Sequence, residues 1–272
     1  VRGMADFFDR LGKASRLYET GAPVYLRSHP LTVERLSDMQ NRAQESPYKQ
    51  VVSNLDFHLV RAKLRAFNGT PREAVADLEM LVKEKKHVSA PAARYGLAVA
   101  RMRAKDAAGA QRELDSIRAL RVASPLIAGL AAEVRIALGD QEGALSIYRE
   151  ALQRFPQAKS LVYGFAEALY GARQYDQAQV FIESQLQLSF ADAKLYALQA
   201  KTYAAQGRRL QQHRAQAEAY VLLGALGAAV EQLQYAQQAT DGNFYEQSAV
   251  DARLRELRKL QADEAKQKKG AW

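Results

Sequence analysis

Small and apolar residues recur along most of this chain with a spacing that predicts paired helices. Two columns of alanine each repeat every 34 residues, and the second column lies 12 residues behind the first. The first column is Ala98, Ala132, Ala166 and Ala200, and the second is Ala110, Ala144 and Ala178. Small side chains let two helices approach closely, whereas larger ones would overpack the contact at about 1–3 kcal/mol. The pattern predicts pairs of antiparallel helices stacked around one continuous core.

Turn signals stand five residues before a small residue in each pair. They are Gly69 before Ala74, Lys105 before Ala110, Gly139 before Ala144, Arg173 before Ala178, and Gly224 before Ala229. Glycine suits these positions because many helices end on a residue in the left-handed conformation. The unit that starts at Gly139 continues with Tyr148, Ala151 and Pro156. This series is typical of tetratricopeptide (TPR) repeats, so we expect an all-α TPR helical-hairpin solenoid.

The repeat is not regular at either end. The step from Ala74 to Ala110 is 36 residues, and the step from Ala178 to Ala229 is 51 residues, or one and a half repeats. We therefore expect the helix over Leu210–Leu223 to be shared between neighbouring pairs. Large apolar residues in the second helices should pack against the small columns. These are Leu114, Tyr148 and Ile182.

The two ends of the chain have patterns of their own. Residues 1–18 predict an amphipathic helix with Met4, Phe7, Phe8 and Leu11 on one side, followed by a loop over Gly21–Pro30. A second helix should start near Leu31, with Thr32 as its N-cap, and end before Pro47. Near the other end, Phe244–Lys266 predicts a capping helix with a narrow apolar stripe. The stripe is Val250, Leu254, Leu257 and Leu260.

These patterns divide the chain into three parts. We assign 1–47 to an N-terminal helical segment, 48–265 to the TPR solenoid with its capping helix, and 266–272 to a basic tail. The chain begins with Val1 rather than methionine and enters a helical pattern at once, so we expect a fragment of a longer protein.

Composition limits the classes of function. Apolar residues make up 48% and charged residues 25%, which is normal for a folded soluble protein. The formal net charge is +9, but the charges are spread out and form a cluster only at Lys266–Lys269, which argues against nucleic-acid binding. The absence of cysteine excludes disulfides, thiol catalysis and zinc–cysteine sites. No apolar run approaches the ~20 residues of a transmembrane helix.

The sequence contains no recognisable catalytic set. It has no His-Glu-x-x-His pair, no glycine-rich phosphate loop and no Gly-x-Ser-x-Gly nucleophile motif, so this chain is not expected to be an enzyme by itself. His29 differs from the other histidines because it lies between two predicted helices, directly before Pro30. Local sequence alone favours a loop-to-helix junction with proline ahead of the first turn.

The N-terminal segment nevertheless resembles a known family. Residues Arg2–Leu11 and then Ser28–Leu36 look like the C-terminal end of the zinc metallopeptidases that include HtpX-like and CAAX-prenyl-protease-like enzymes. In that family a His-Pro-x-x-x-x-Arg segment, here His29 to Arg35, follows the catalytic helices. The order of protease end, His-Pro motif, repeats and capping helix is similar to a periplasmic subgroup from Gram-negative bacteria. The family's His-Glu-x-x-His helix and glutamate ligand are missing here and would lie before Val1.

This resemblance implies a function. The chain would be the non-catalytic, protein-binding TPR module of a periplasmic zinc metallopeptidase in the quality control of outer-membrane proteins. Its partners would be outer-membrane β-barrel proteins or their assembly machinery. The zinc would lie in the missing domain, and His29 would occupy a regulatory position from which its imidazole could reach the metal's open site and oppose water activation.

Two other functions stay open from the residues. One is a stand-alone TPR adaptor without a peptidase, in a cytoplasmic or cell-envelope complex. The other is a TPR-type nucleic-acid or transcription regulator, which the scattered charges disfavour.

The first helix of each pair should line the concave face of the solenoid and form a partner-binding groove. Counting from the alanine columns places nine residues there. They are Tyr95, Val99, Arg103, Glu133, Ile136, Tyr163, Glu167, Tyr170 and Lys201. Tyrosines with mixed charges suit an extended or unfolded chain, because they offer apolar area and a hydrogen-bonding end. The alternative is that some of these side chains only pack between helices.

Overall fold

The computed structural model describes residues 2–15, 32–45 and 54–270, and over these ranges it contains fourteen α-helices and no strand. Contacts divide the chain into two units, Val1–Ser53 and Asn54–Trp272. His29 and the predicted loop over 21–30 lie outside the described residues.

The first unit contains two helices that pack on each other, α1 (Arg2–Ser15) and α2 (Thr32–Glu45). Thr32, expected as an N-cap, is the first residue of α2. The guanidinium of Arg35 lies 5.9 Å from the centre of the Phe8 ring. Phe7 remains exposed, so part of the predicted apolar face of α1 is not buried within this unit.

The second unit contains the other twelve helices. They are α3 (Leu55–Ala66), α4 (Pro71–Lys83), α5 (Ala90–Arg103), α6 (Ala107–Ala119), α7 (Pro125–Ala137), α8 (Gln141–Arg154), α9 (Lys159–Gly171), α10 (Tyr175–Leu188), α11 (Ala193–Ala205), α12 (Arg209–Leu222), α13 (Leu226–Gln238) and α14 (Phe244–Gly270). Neighbouring helices in the chain pack on each other. The first helices α3, α5, α7, α9 and α11 also contact one another in series, which is the stacking of a TPR solenoid.

The alanine columns lie inside this stack, as predicted. All seven alanines of the two columns are buried, and so are Leu114, Tyr148 and Ile182. The all-α TPR fold expected from the 34-residue period is therefore confirmed.

The predicted turns are also found. Five turn residues have positive φ, from 59° at Arg173 to 83° at Gly139. A sixth, Gly207 at φ 74°, extends the series because it follows Arg173 by 34 residues. The sequence pattern missed Gly207 because Gln212 stands where the alanine of the second column would be.

Helix α12 has the shared position expected for it. It lies between the turns at Gly207 and Gly224 and packs extensively on both α11 and α13. A bidentate pair, Arg253 Nε and Nη2 to the Glu218 carboxylate at 2.9 and 2.7 Å, connects α12 to α14.

The last helix is longer than predicted, because α14 continues to Gly270 and includes part of the segment expected to be a tail. Val250, Leu254 and Leu257 of its stripe are buried, whereas Leu260 is exposed. The buried seam of α14 therefore ends at Leu257.

Candidate peptide-binding groove

The first helices place side chains from successive repeats side by side. Val99, Glu133, Glu167 and Lys201 follow one another at 34-residue steps on α5, α7, α9 and α11. A second series on the same helices is Tyr95, Gly129, Tyr163 and Ala197. We call the surface formed by these two series the groove.

A cleft of about 310 Å³ opens where α3, α5 and α7 meet. Four of the nine predicted residues line it: Tyr95, Val99, Arg103 and Glu133. The other lining residues were not predicted. They are Lys63, Phe67, Met102, Pro125, Leu126, Gly129, Leu130 and Ser160. Lys63 precedes Val99 by 36 residues, which is also the length of the first step of the repeat. Counting back by that step would therefore have predicted Lys63.

Tyr95 and Val99 form the floor of the cleft rather than its rim. They are only 2% and 6% exposed and belong to the first apolar core cluster. Burial, and then the negative charge of Glu133, raise the pKa of the Tyr95 phenol to about 12. Tyr95 is thus neutral at any physiological pH.

Arg103 is a fixed wall of the cleft. Its guanidinium donates hydrogen bonds to the carbonyl oxygens of Ala66 and, at 3.3 Å, Gly69. It also lies 4.9 Å from the centre of the Phe67 ring. Because the last carbonyls of a helix have no partner within that helix, Arg103 completes the end of α3.

Glu133 is the carboxylate of the groove that can accept a hydrogen bond from a partner. The residue as a whole is exposed, but neighbouring atoms bury its carboxyl group, and this burial raises the pKa of that group. Lys63 opposes this shift and Glu167 adds to it, so both charges lie near Glu133. Within the described part of the chain, Glu133 makes no hydrogen bond or ion pair, and its carboxylate is free to accept from a partner.

The next part of the groove is held together by internal contacts. The Tyr163 hydroxyl donates to an Asp192 oxygen at 2.8 Å, and Lys159 Nζ donates to the same oxygen at 2.8 Å. Asp192 is buried and also accepts from the backbone N–H of Leu195 at the start of α11. Burial alone would raise the pKa of Asp192, but these hydrogen bonds hold it below its usual value.

Lysines cover the tyrosines at this end of the groove. Lys194 Nζ lies 4.6 Å from the centre of the Tyr163 ring and 3.2 Å from Glu167. Lys201 Nζ lies 4.2 Å from the centre of the Tyr170 ring. These cation–π contacts fix the tyrosine rings with their outer faces occupied.

Ile136 has a packing role in the structure. It is half-buried and contacts the second apolar core cluster, and it is not among the residues that line the cleft.

The described ranges contain no group of three or more His, Asp or Glu side chains that could hold a metal ion. His29 is outside those ranges. None of the described helices combines the length and apolar character needed to cross a bilayer.

Comparison with known proteins supports the fold and the resemblance. A tetratricopeptide repeat family model matches residues 135–202. The chain is 28% identical over 267 residues to the β-barrel assembly-enhancing protease of Escherichia coli (strain K12), covering 96% of this chain and 53% of that protein. The protein of the same name from Yersinia pestis is 27% identical over 261 residues, covering 95% of this chain and 53% of its own length.

A solved structure agrees with the fold. The C-terminal part of a TPR repeat-containing protein from Cytophaga hutchinsonii aligns with a TM-score of 0.53 at 15% identity, covering 73% of this chain and 78% of that one. The predicted resemblance is confirmed as a similarity to β-barrel assembly-enhancing proteases that extends over nearly the whole chain. The chain spans about half the length of these curated relatives.

Proposed function

We propose that this chain is the partner-holding TPR module of a periplasmic zinc metallopeptidase, and that it binds outer-membrane β-barrel proteins or their assembly machinery for quality control. The TPR fold supports a role in protein–protein interaction. The similarity over 96% of the chain to proteins named β-barrel assembly-enhancing proteases supports the choice of partner.

One observation carries the binding role. The groove contains Glu133, whose carboxylate makes no ion pair among the described residues, beside a cleft lined in part by apolar side chains. An extended chain has backbone N–H groups along its length, and these are suitable donors for such a carboxylate.

A capture experiment tests this role. An unfolded outer-membrane β-barrel protein, diluted from urea, would be titrated with the chain and with the variant Glu133→Arg. Reversing this charge beside Lys63 should weaken capture severalfold. The control is Val180→Arg, which places the same side chain at an exposed position on α10, a second helix. Equal capture by all three proteins would refute the binding role of the groove.

The peptidase part of the proposal concerns the region before Val1. No zinc-binding set occurs among the described residues, so the metal would be held by the rest of the parent protein. Extending the reading frame upstream decides this point: a signal peptide and a His-Glu-x-x-His motif support the peptidase. An immediate start codon would instead favour the stand-alone adaptor.

We also propose that His29 has a regulatory position in that parent protein. If the imidazole opposes water activation, His29→Ala in the full-length protein should give equal or higher protease activity. A loss of folding would support the loop-junction role instead. Thermal denaturation measured beside the activity separates the two outcomes.

A further inference from the structure

Gly129, in the interior of α7, is a glycine that packing does not require. Glycine destabilises a helix interior relative to alanine because it loses more conformational freedom on folding. At Gly164 a Cβ atom would lie 2.5 Å from the Tyr148 hydroxyl, and at Gly96 it would lie 3.1 Å from Ala62. At Gly129 the nearest heavy atom would be Leu161 Cδ2 at 3.7 Å, which is an ordinary contact.

The space beside Gly129 belongs to the cleft. Gly129 follows Tyr95 and precedes Tyr163 in their 34-residue series, so the smallest residue stands between two large ones. The cleft volume of about 310 Å³ is at the lower end of the range for ligand pockets, about 300–1,000 Å³. Its walls combine polar side chains, such as Lys63 and Ser160, with apolar and aromatic ones. The apolar and aromatic side chains include Phe67, Val99, Met102, Leu126 and Leu130.

Some charged side chains around the cleft already have partners within the protein, and others do not. Arg103 is held by the carbonyls at the end of α3, and Glu167 is paired with Lys194 at 3.2 Å. Lys63 lines the cleft but lies beyond ion-pair distance from Glu133. Among the described residues of this region, Glu133 is therefore the carboxylate that lacks a cationic partner within ion-pair distance.

We propose that the cleft beside Gly129 is a side-chain pocket for one large apolar residue, preferably aromatic, of an extended bound segment, with a basic residue two positions away at Glu133. This inference rests on the proposed binding role of the groove and names the chemistry of the segment. In an extended chain, residues two apart point to the same side and are separated by about 6.5–7 Å. A phenylalanine in the pocket would thus place a following arginine within reach of Glu133.

The test uses fluorescence anisotropy with a labelled peptide of serine and glycine that carries one phenylalanine and one arginine two residues apart. A second peptide has alanine in place of phenylalanine, and a third has glutamate in place of arginine. The chain should bind the first peptide at least about tenfold more tightly than either of the others, because only it fills the pocket and pairs with Glu133.

The matched variants are Gly129→Leu, which fills the pocket, and Gly227→Leu, the same change at an exposed position on α13. Gly129→Leu should weaken binding of the phenylalanine peptide about tenfold and leave binding of the alanine peptide unchanged. Gly227→Leu should bind like the unmodified chain. Circular dichroism checks folding, and the comparison of the three peptides on the unmodified chain remains decisive if Gly129→Leu does not fold.

Equal binding of the phenylalanine and alanine peptides would overturn the pocket, and so would unchanged binding by a folded Gly129→Leu variant. If these tests fail while Glu133→Arg still weakens capture of the unfolded β-barrel protein, the pocket is refuted and the binding role of the groove is retained. If Glu133→Arg also captures normally, both proposals are refuted.

Discussion

Two glycine-to-alanine substitutions should have opposite effects on stability. Gly129→Ala adds a methyl group where the nearest atom would be 3.7 Å away, whereas Gly164→Ala adds one 2.5 Å from the Tyr148 hydroxyl. Both positions are in helix interiors, on α7 and α9, so the gain from helix propensity is similar. The difference between the two variants therefore measures the local packing alone.

The expected magnitudes follow from these contacts. Alanine is favoured over glycine in a helix interior by about 0.8–1 kcal/mol, so Gly129→Ala should stabilise the protein by about 0.5–1 kcal/mol. Tyr148 is buried and its ring cannot move away freely. Overpacking costs about 1–3 kcal/mol, so Gly164→Ala should destabilise the protein by up to about 2 kcal/mol after the propensity gain of about 1 kcal/mol is subtracted.

Urea denaturation followed by far-UV circular dichroism measures both changes. In a protein of this size, a change of about 1 kcal/mol also moves the thermal midpoint by about 2–4 °C. The midpoint should rise for Gly129→Ala and fall for Gly164→Ala. A destabilised Gly129→Ala variant would show that the space beside Gly129 is needed for folding, and would refute the reasoning that leads to the pocket.

Two further predictions concern buried or paired charges. Asp192→Ala should cost about 1–3 kcal/mol in unfolding free energy, because it removes the hydrogen bonds from Tyr163 and Lys159. Since the pKa of Asp192 is lowered in the folded state, this contribution should be complete above about pH 4 and be lost as pH falls through the folded-state pKa. Denaturation of both proteins across acidic pH checks it, and a constant difference down to the lowest pH would contradict it. Arg253→Ala should lower the free energy of unfolding by about 1 kcal/mol, because the pair with Glu218 is partly exposed. In a double-mutant cycle with Glu218→Ala, most of that loss should appear as interaction energy between the two residues. Additive effects in that cycle would mean that the pair contributes nothing.

The repeat architecture could be predicted from sequence because its signals are local and periodic. The alanine column from Ala98 to Ala200 repeats at a fixed spacing, and so does the turn at Gly139. Close helix packing permits only small residues in the alanine column. Gly207 was missed because Gln212 interrupts the second column, although Gly207 itself stands in the 34-residue register.

The chemistry of the groove could be predicted only in part. Periodicity identifies which residues face the groove, but not what each side chain contacts there. Arg103 was expected to meet a partner, yet it donates to Ala66 and Gly69, on a loop and helix end that no repeat pattern specifies. The network of Tyr163, Lys159 and Asp192 depends on how a loop residue turns into the space between two helices, and this also has no periodic signal.

The unequal lengths of the last two helices have a mechanical consequence. At about 1.5 Å per residue, α14 is about 40 Å long and α13 about 20 Å. A Cβ atom on Gly227, near the start of α13, would lie 3.7 Å from Gln261, so the two helices overlap at least to that point of α14. The residues from Asp263 onward extend about 12 Å further as a charged rod. A tag or reporter joined to the end of this rod would therefore be carried about 12 Å beyond Ala262.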